Sequence, residues 1–596
     1  MNPDTLTAQA LLNCLVREVS APEEQAWEAS GHLTVRLARS DRLLRLTARR
    51  PSAGLGPRLT GEAQLHSDDN SGDTWQPVGW ERLARLVAEE LTLATGASND
   101  EFAAQVRSSH AATTAIMRAR RAESGTAAAD LPSVDPVLCR YISTEQALVA
   151  GHRFHPAPKA RDGDPGEWLP FAPEAMARFP LRFLAVRDDV LGTDGETADL
   201  DRLGSPAAPP GYHVLPAHPW QLRMLTERTW LRQAFRDRLL IDLGAGSHEV
   251  APTSSVRTVY DPVADVFCKF SLNVRITNCV RKNSWYELAG SVALTELLRP
   301  VFGDLAVRFP GTAMLGEPGY RTVALAAEEA VESLSVISRE GLRGCLAPGV
   351  TPILAAALAE PPGNSAKPPA NSAEPPDIRP VSISTVGIGA SEESGGLFDG
   401  RDPEWLAAWW EAYVRQVAPP VLHALFGHGV VLEPHLQNVL VGVDADGLPV
   451  QAIFRDMEGV KLLTPRHDAT LTTLKPGVAR ALAYDSERGW NRVAYCLFVN
   501  NLAEIAAAVA DRHPHPGDGL EADLWNRAHG VIAGFARDHD WPPELRALLA
   551  GVPLPAKANL RLRWARGADR EAAYLNVLNP LSEQAIGWSS RMTSPW

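Results

Sequence analysis

Apolar residues recur at helical spacing from Leu6 to Val19 and again from Trp80 to Ala94, while the stretch between them, Leu33 to Leu46, alternates in short runs such as Leu33-Thr34-Val35-Arg36-Leu37. Recurrence every three to four residues lays an apolar stripe on a helix, and alternation lays an apolar face on a strand, so residues 1–140 read as a mixed α/β region. Residues 141–360 hold most of the unusual polar clusters and close on the helical pattern Ile353 to Ala359. From Glu360 to Asp399 the composition shifts to Pro, Gly, Ser and Ala, with the near-repeats Pro361-Pro362-Gly363-Asn364-Ser365-Ala366 and Pro368-Pro369-Ala370-Asn371-Ser372-Ala373. Such a composition buries little surface, which makes residues 361–399 a linker or insertion. Beyond Pro403, Trp405, Trp409, Trp410 and Tyr413 share one helix face; a strand pair follows around Val430 to Phe454, and helical spacing returns from Ala479 to Val509. The pattern predicts an α+β chain with a central antiparallel sheet region and a helix-rich part over residues 400–596.

Length and composition narrow the class. The chain has 596 residues, 45% hydrophobic and 22% charged, enough for several packed regions with ample core. Its net charge of -13, with no long Lys/Arg block, lacks the electrostatic footprint of a nucleic-acid binder. Cys14, Cys139, Cys268, Cys279, Cys345 and Cys496 are dispersed with no CxxC pair, the pattern of buried thiols in a reducing compartment. Asp4 precedes the short apolar run Ala8 to Leu12, unlike a signal peptide, and no run of about 18 apolar residues suggests a membrane span. The expectation is a cytoplasmic protein without membrane or nucleic-acid partners.

Ser254 to Tyr260 and Val266 to Thr277, joined through Asp261-Pro262-Val263-Ala264-Asp265, read as a hairpin. A period of two puts Lys269, Ser271, Asn273, Arg275 and Thr277 on one face of the second strand and Cys268, Phe270, Leu272, Val274 and Ile276 on the other. The plain alternative is an amphipathic hairpin with a hydrated basic face. Against it, the polar face carries no acid of its own, Arg257 and Thr258 sit on the partner strand, and Arg281 and Lys282 follow at once. A phosphate chain or a carboxylate satisfies such a set through charge-assisted hydrogen bonds.

Three further clusters stand out. Glu433, Asn438 and Asp456, within Glu433-Pro434-His435-Leu436-Gln437-Asn438 and Arg455-Asp456-Met457-Glu458, are the oxygen ligands expected of Mg²⁺; the alternative is a capped turn between strands. Gly151 to Gly163 packs His152, Arg153, His155, Lys159 and Arg161 into a Gly/Pro-punctuated segment, which reads as a mobile anion-binding loop because no third thiol or imidazole lies at a zinc-like spacing. Pro216 to Leu222, containing His218-Pro219-Trp220-Gln221, reads as a structural turn before a helix from Leu222 to Arg232.

Together these segments, with Ser255-x-Arg257-Thr258, Lys269 through Thr277-Asn278 to Arg281, and Glu433-x-His435-x-Gln437-Asn438, resemble the IucA/IucC family of siderophore synthetases in order and spacing over about 300 residues. The tail Lys557 to Leu581 resembles that family's C-terminal helical part. The resemblance implies a cupped-hand architecture of thumb, fingers and palm. It also implies a homodimer and a reaction in which ATP adenylates a carboxyl of citrate or a citrate derivative before an amine or alcohol captures it. It implies that Ser255, Arg257, Thr258, Lys269, Arg281, His435, Gln437 and Asn438 line the ATP and carboxylate site. His155, Lys159 and Arg161 would close on the phosphates, Glu433, Asp456 and Asn438 would hold Mg²⁺, and Thr277, Arg281 and His435 would meet the citrate carboxylates. Lys269, Arg281 and His435 are the catalytic candidates, with His435 a general base or an orienting donor. The opening Leu11 to Glu18 is similar to members acting on free citrate.

Two other classes of protein share part of this pattern. A kinase-like phosphotransferase shares the His428-Gly429, Asn438 and Asp456 spacing, but Val430 stands where its Asp base belongs and no Gly-rich loop precedes Lys269. A non-catalytic nucleotide-binding sensor or scaffold would keep the fold without turnover.

Overall fold

The computed structural model describes residues 2–29, 31–48, 56–67, 74–123, 134–276, 279–360, 397–512, 519–567 and 573–582. Thr277 and nearly all of the 361–399 segment therefore lie outside the described residues.

The chain opens on the helix Pro3–Leu15, started by the Asn2 side chain, which accepts from the Thr5 amide at 2.8 Å, and by Pro3 at the first helical position. It packs with Trp80–Thr95 on a five-stranded antiparallel meander running from Ala26–Ala29 to Thr74–Pro77. The predicted alternation holds here: Val35 pairs with Leu44, and Val35, Leu37, Leu44 and Leu46 are all fully buried. The C-terminal helix Asn559–Trp564 closes this core. Both oxygens of Glu18 accept from its first amides, Leu560 and Arg561, at 3.0 Å, satisfying donors that a helix start leaves open. The tail, likened to a helical part, holds a short helix beside an antiparallel pair, Leu554–Lys557 with Tyr574–Val577.

An eight-stranded sheet forms the middle of the molecule. Its strand order is Leu191–Gly195, Gly319–Val323, Val336–Glu340, Val266–Phe270, Thr258–Asp261, Leu240–Pro252, Phe179–Arg187, Tyr212–Ala217. A separate four-stranded sheet joins Thr312–Leu315, Pro449–Arg455, Val439–Val443 and Thr351–Leu354. Ile353, expected in a helix, therefore lies in a strand, and the helix is only Ala355–Ala359. The predicted helix from Leu222 is likewise two short ones, Pro219–Leu225 and Thr229–Arg236.

The largest core surrounds the helix Pro403–His428, whose Trp409, Trp410 and Tyr413 are fully buried, and the helical run Ser486–Ala510. That run is long and apolar enough to cross a bilayer, yet 89% of its most apolar window is buried in the protein. Here all-round apolarity marks a core helix.

The hairpin expectation is met in part. Thr258–Asp261 pairs antiparallel with Val266–Phe270, placing Thr258 opposite Lys269. Ser254 to Val256, expected as strand, form a turn held by the Val256 amide donating to the Thr253 carbonyl at 2.8 Å. The second strand stops at Ser271, and Leu272–Ile276 pairs instead with Cys279–Arg281. The face proposed from Lys269 to Thr277 is therefore not continuous: Lys269 is buried while Arg275 is exposed. Among the described cysteines Cys14, Cys268 and Cys496 are buried as expected, but Cys139 and Cys345 are only half-buried.

Candidate active site

A cavity of about 460 Å³ opens where the N-terminal helix, the centre of the eight-stranded sheet and the end of Pro449–Arg455 meet. Its walls include Ser255, Arg257, Thr258, Lys269, Arg281, His155, Lys159, Arg161, Glu433, His435, Gln437, Asn438 and Asp456, so every described residue of the candidate set comes to one place. Cationic side chains outnumber carboxylates on these walls, although the protein as a whole carries a charge of -13.

Lys269 is the centre of the charge network. Only 1% exposed, its ammonium lies 2.6 Å from Asp456, 3.3 Å from Glu458 and 3.5 Å from Glu317. Burial alone would lower its pKa, but these carboxylates outweigh that and raise it. Arg257 joins from the adjacent turn, 2.5 Å from Glu458 and 2.6 Å from the Asn283 side-chain oxygen. Arg339 sits 2.6 Å from Glu317 and 3.5 Å from Asp456. Burial pushes the Glu458 carboxyl up, yet Arg257 and Lys269 together hold it at about 2; Asp456 is likewise held well below the usual range by Lys269 and Arg339. The strand face read as having no acid is thus neutralised by acids arriving 187 and 201 residues along the chain. Glu458, Glu317, Arg339 and Asn283 are network members absent from the candidate set; of these only Glu458, two residues beyond Asp456, carried a signal in the sequence.

Each segment carries a non-glycine residue in the left-handed region. Val256, a β-branched residue, has φ +68°, and Asp456 has φ +77°. Such left-handed conformations are held only where surrounding bonds over-determine them. Thr253 accepts from the Val256 amide, Lys269 donates to Asp456, and the flanking residues are anchored: Arg455 lies 2.5 Å from Glu145, which also accepts from the Ser254 amide and hydroxyl at 2.9 and 2.8 Å. Tyr141 donates to the same Glu145 at 2.6 Å. Gln437 donates to the Ser254 hydroxyl at 3.3 Å, so the two segments are stitched together across the cavity.

The loop from Gly151 to Gly163 is built differently from the mobile, open-charged loop expected. Lys159 and Arg161 are both buried and bound to one carboxylate, Glu174, at 2.6 and 2.5 Å, and Lys159 also donates to the Leu148 carbonyl at 2.5 Å. Burial pushes Glu174 up, but the two cations hold it at about 2. His152, His155 and His435 share a local device: each ring Nδ1 accepts the amide two residues on, from Phe154, Ala157 and Gln437, at 3.1, 3.1 and 3.2 Å. Burial lowers the pKa of His435 and brings His152 to about 3, so both are neutral near pH 7. With Nδ1 accepting, the neutral ring carries its proton on Nε2 and acts as a donor. The neutral His435 ring therefore has its Nε2 proton available to donate. His218 uses the same device with the Trp220 amide at 3.2 Å, inside a box of Phe171, Phe179 and Phe270, which makes it the structural turn anticipated.

The magnesium trio is less uniform. Ion pairs to Asp456 engage Oδ1, Asn438 uses its side-chain nitrogen to donate to the Glu433 carbonyl at 3.3 Å, and the Glu433 carboxylate is 2.8 Å from Arg492. Two carboxylates and an amide oxygen are a donor set suited to Mg²⁺, with Glu433 arriving already paired.

With this geometry in view, the relatives are informative. Residues 140–360 match the IucA / IucC family, and residues 407–572 match the family described as ferric iron reductase FhuF-like transporter. Over residues 140–360 the chain is thus similar to the IucA / IucC family. It is 27% identical to the rhizobactin siderophore biosynthesis protein RhbC of Rhizobium meliloti (strain 1021), covering 98% of both chains. It is 28% identical to an L-2,3-diaminopropanoate–citrate ligase of Staphylococcus aureus (strain NCTC 8325 / PS 47), covering 75% of this chain and 76% of that one. Its fold matches the ATP-bound aerobactin synthetase IucA from a hypervirulent pathotype of Klebsiella pneumoniae with TM-score 0.77 at 24% identity, over 98% of this chain and 100% of that one.

Proposed function

We propose that the chain is an ATP-dependent ligase of siderophore biosynthesis that adenylates a carboxyl group of citrate or a citrate derivative and condenses it with an amine or alcohol, releasing AMP and pyrophosphate. The observation that carries this reading is the pairing of buried Lys269 and Arg257 with the partly exposed carboxylates Asp456 and Glu458, beside a cation-rich cavity that Lys269, Arg257, Asp456, Arg281 and His435 line. Citrate enters from the relatives, which include citrate ligases for diaminopropanoate and spermidine.

In the first half-reaction a carboxylate oxygen bonds to the α-phosphorus and the bond to pyrophosphate breaks. In the second, the nucleophile bonds to the acyl carbon, AMP leaves, and the nucleophile gives up a proton. Both steps gather negative charge, and fixed cations in a site sheltered from water are the means of stabilising it. Arg257 and Lys269 stand at that charge with their positions fixed by Asn283 and Glu317, so little reorganisation accompanies the reaction. Arg281 is assigned to the substrate carboxylate, His435 donates from Nε2, and Ser255, Thr258, Gln437 and Asn438 orient the nucleotide. Thr277 completes the citrate contacts on the strength of the family resemblance alone. Glu433, Asn438 and Asp456 would hold Mg²⁺, which neutralises phosphate charge when bound.

The thumb, fingers and palm implied by the family are assigned to residues 1–140, 141–360 and 400–596, with support from the cavity, which takes Arg17, Lys269 and His435 from the three stretches in turn. A homodimer remains the family expectation. Pyrophosphate release in a grid of carboxylates against amines and alcohols tests the reading. Citrate-dependent AMP and pyrophosphate support it, ADP supports the kinase alternative, and ATP binding without turnover across the grid supports the scaffold.

A further inference from the structure

Away from this cavity, Asp304 near the end of the helix Trp285–Arg308 faces His423 and His428 of the helix Pro403–His428. Their ligand atoms lie within 4.8 Å of one another. Asp304 Oδ2 is 2.9 Å from His428 Nε2 and 3.3 Å from His423 Nε2. A chain of hydrogen bonds behind His423 fixes its proton. His539 Nδ1 stands 2.9 Å from the Phe535 carbonyl, which only accepts, so Nδ1 carries hydrogen and the neutral ring offers the Nε2 lone pair. That lone pair is 2.8 Å from His423 Nδ1, which must therefore donate. A neutral His423 is left with a bare lone pair on Nε2 directed at a carboxylate oxygen, an opposition that only a proton or a metal cation relieves.

Two details leave room for the cation. Gly427 lies against His423: a Cβ there would come 2.8 Å from Nε2, so glycine keeps this nitrogen uncrowded. Arg308, which also reaches both Asp304 oxygens at 2.9 Å, is an exposed partner whose pairing is easily exchanged.

We propose that Asp304, His423 and His428 form a divalent transition-metal site of the Zn²⁺ type, joining the two helices, with His539 orienting His423 from behind. Two imidazoles and a carboxylate suit Zn²⁺ with a water in the fourth position, and the His539–Phe535 relay is the outer support that metal-bound histidines commonly have. None of these residues lines the catalytic cavity, so the site is independent of the ligase reading.

The test is metal titration of the full-length protein after chelator treatment, using Co²⁺ for its visible bands and Zn²⁺ in competition with a chromogenic chelator. One equivalent with a tetrahedral Co²⁺ spectrum is expected for the wild type, together with a rise in Tm on adding Zn²⁺. His428→Gln, at a half-buried position, should lose the equivalent and the Tm response. Gly427→Ala should weaken binding, and His539→Ala should weaken it by about 10–100-fold at unchanged stoichiometry. Melting and far-UV circular dichroism in chelator establish that each variant is folded. Binding in His428→Gln equal to wild type, or no equivalent in the wild type, overturns the proposal.

Discussion

Two basic groups line the same cavity and are neutralised in opposite ways. Lys159 and Arg161 meet Glu174, 15 and 13 residues along the chain, in a closed, buried triplet. Lys269 and Arg257 meet Asp456 and Glu458, 187 and 201 residues away, whose side chains remain 29% and 34% exposed. The first arrangement is a fastening of the fold. The second is a contact between two distant segments whose carboxylates stay partly open to solvent. Charge of the same sign in the same cavity is therefore closed off in one region and left reachable in the other, and what separates them is whether the counter-charge is sealed from water.

The strongest way to break this comparison is Glu174→Gln, which leaves two cations buried against each other. Unfolding in urea should show a loss of about 3–5 kcal/mol, with activity per folded molecule retained; a loss under 1 kcal/mol would mean the triplet is not the fastening described. Arg281→Ala should do the reverse, lowering citrate-dependent pyrophosphate release by about 10²–10³-fold with an unchanged melting temperature. Asp456→Asn sharpens the contrast: Lys269 keeps Glu317 and Glu458, so the stability loss should be about 1–3 kcal/mol, smaller than for Glu174→Gln, while pyrophosphate release falls by far more than unfolding accounts for.

Acid titration gives a smaller effect with a definite sign. Glu174 and Glu458 are held at about 2, below the ordinary 4.5, so the folded state binds their protons less tightly than the unfolded chain. Their contribution is complete above 4.5 and disappears as pH falls towards 2, and Glu174→Gln should flatten that limb. Glu360, raised by burial to about 7, has the opposite sign: stability falls as pH rises from 4.5 to 7, and Glu360→Gln should remove that fall. The smallest effect is expected of Val256→Gly, where about 1–3 kcal/mol of relieved backbone strain opposes about 1.5–3 kcal/mol of lost burial; differential scanning calorimetry should find Tm within a few degrees of wild type.

Periodicity made the helices Pro3–Leu15 and Trp80–Thr95 and the paired strands His32–Leu37 and Arg42–Ala48 legible, because each buries one face against one neighbour. It failed at Ser271, where alternation continues in the residue types while the backbone leaves one sheet and joins Cys279–Arg281. Alternation records which side of a strand is apolar, and a chain can change partners without changing that record. The aromatic face of Pro403–His428 was readable for the same reason as the early helices, but the helix Asn559–Trp564 docking on Glu18 was not, since nothing local marks a contact spanning 542 residues.

The sequence by itself determined the residue chemistry: cations and hydroxyls around Arg257 and Lys269, and oxygen donors around Glu433 and Asp456. These depend on residue identity alone. Tertiary structure alone decided that Lys269 is buried against Asp456 and Glu317, that Lys159 and Arg161 share Glu174, and that His435 presents a donor to the cavity. Charge state and solvent exposure depend on what distant segments bring within a few ångströms, and burial together with counter-charges, set only on folding, fixes both.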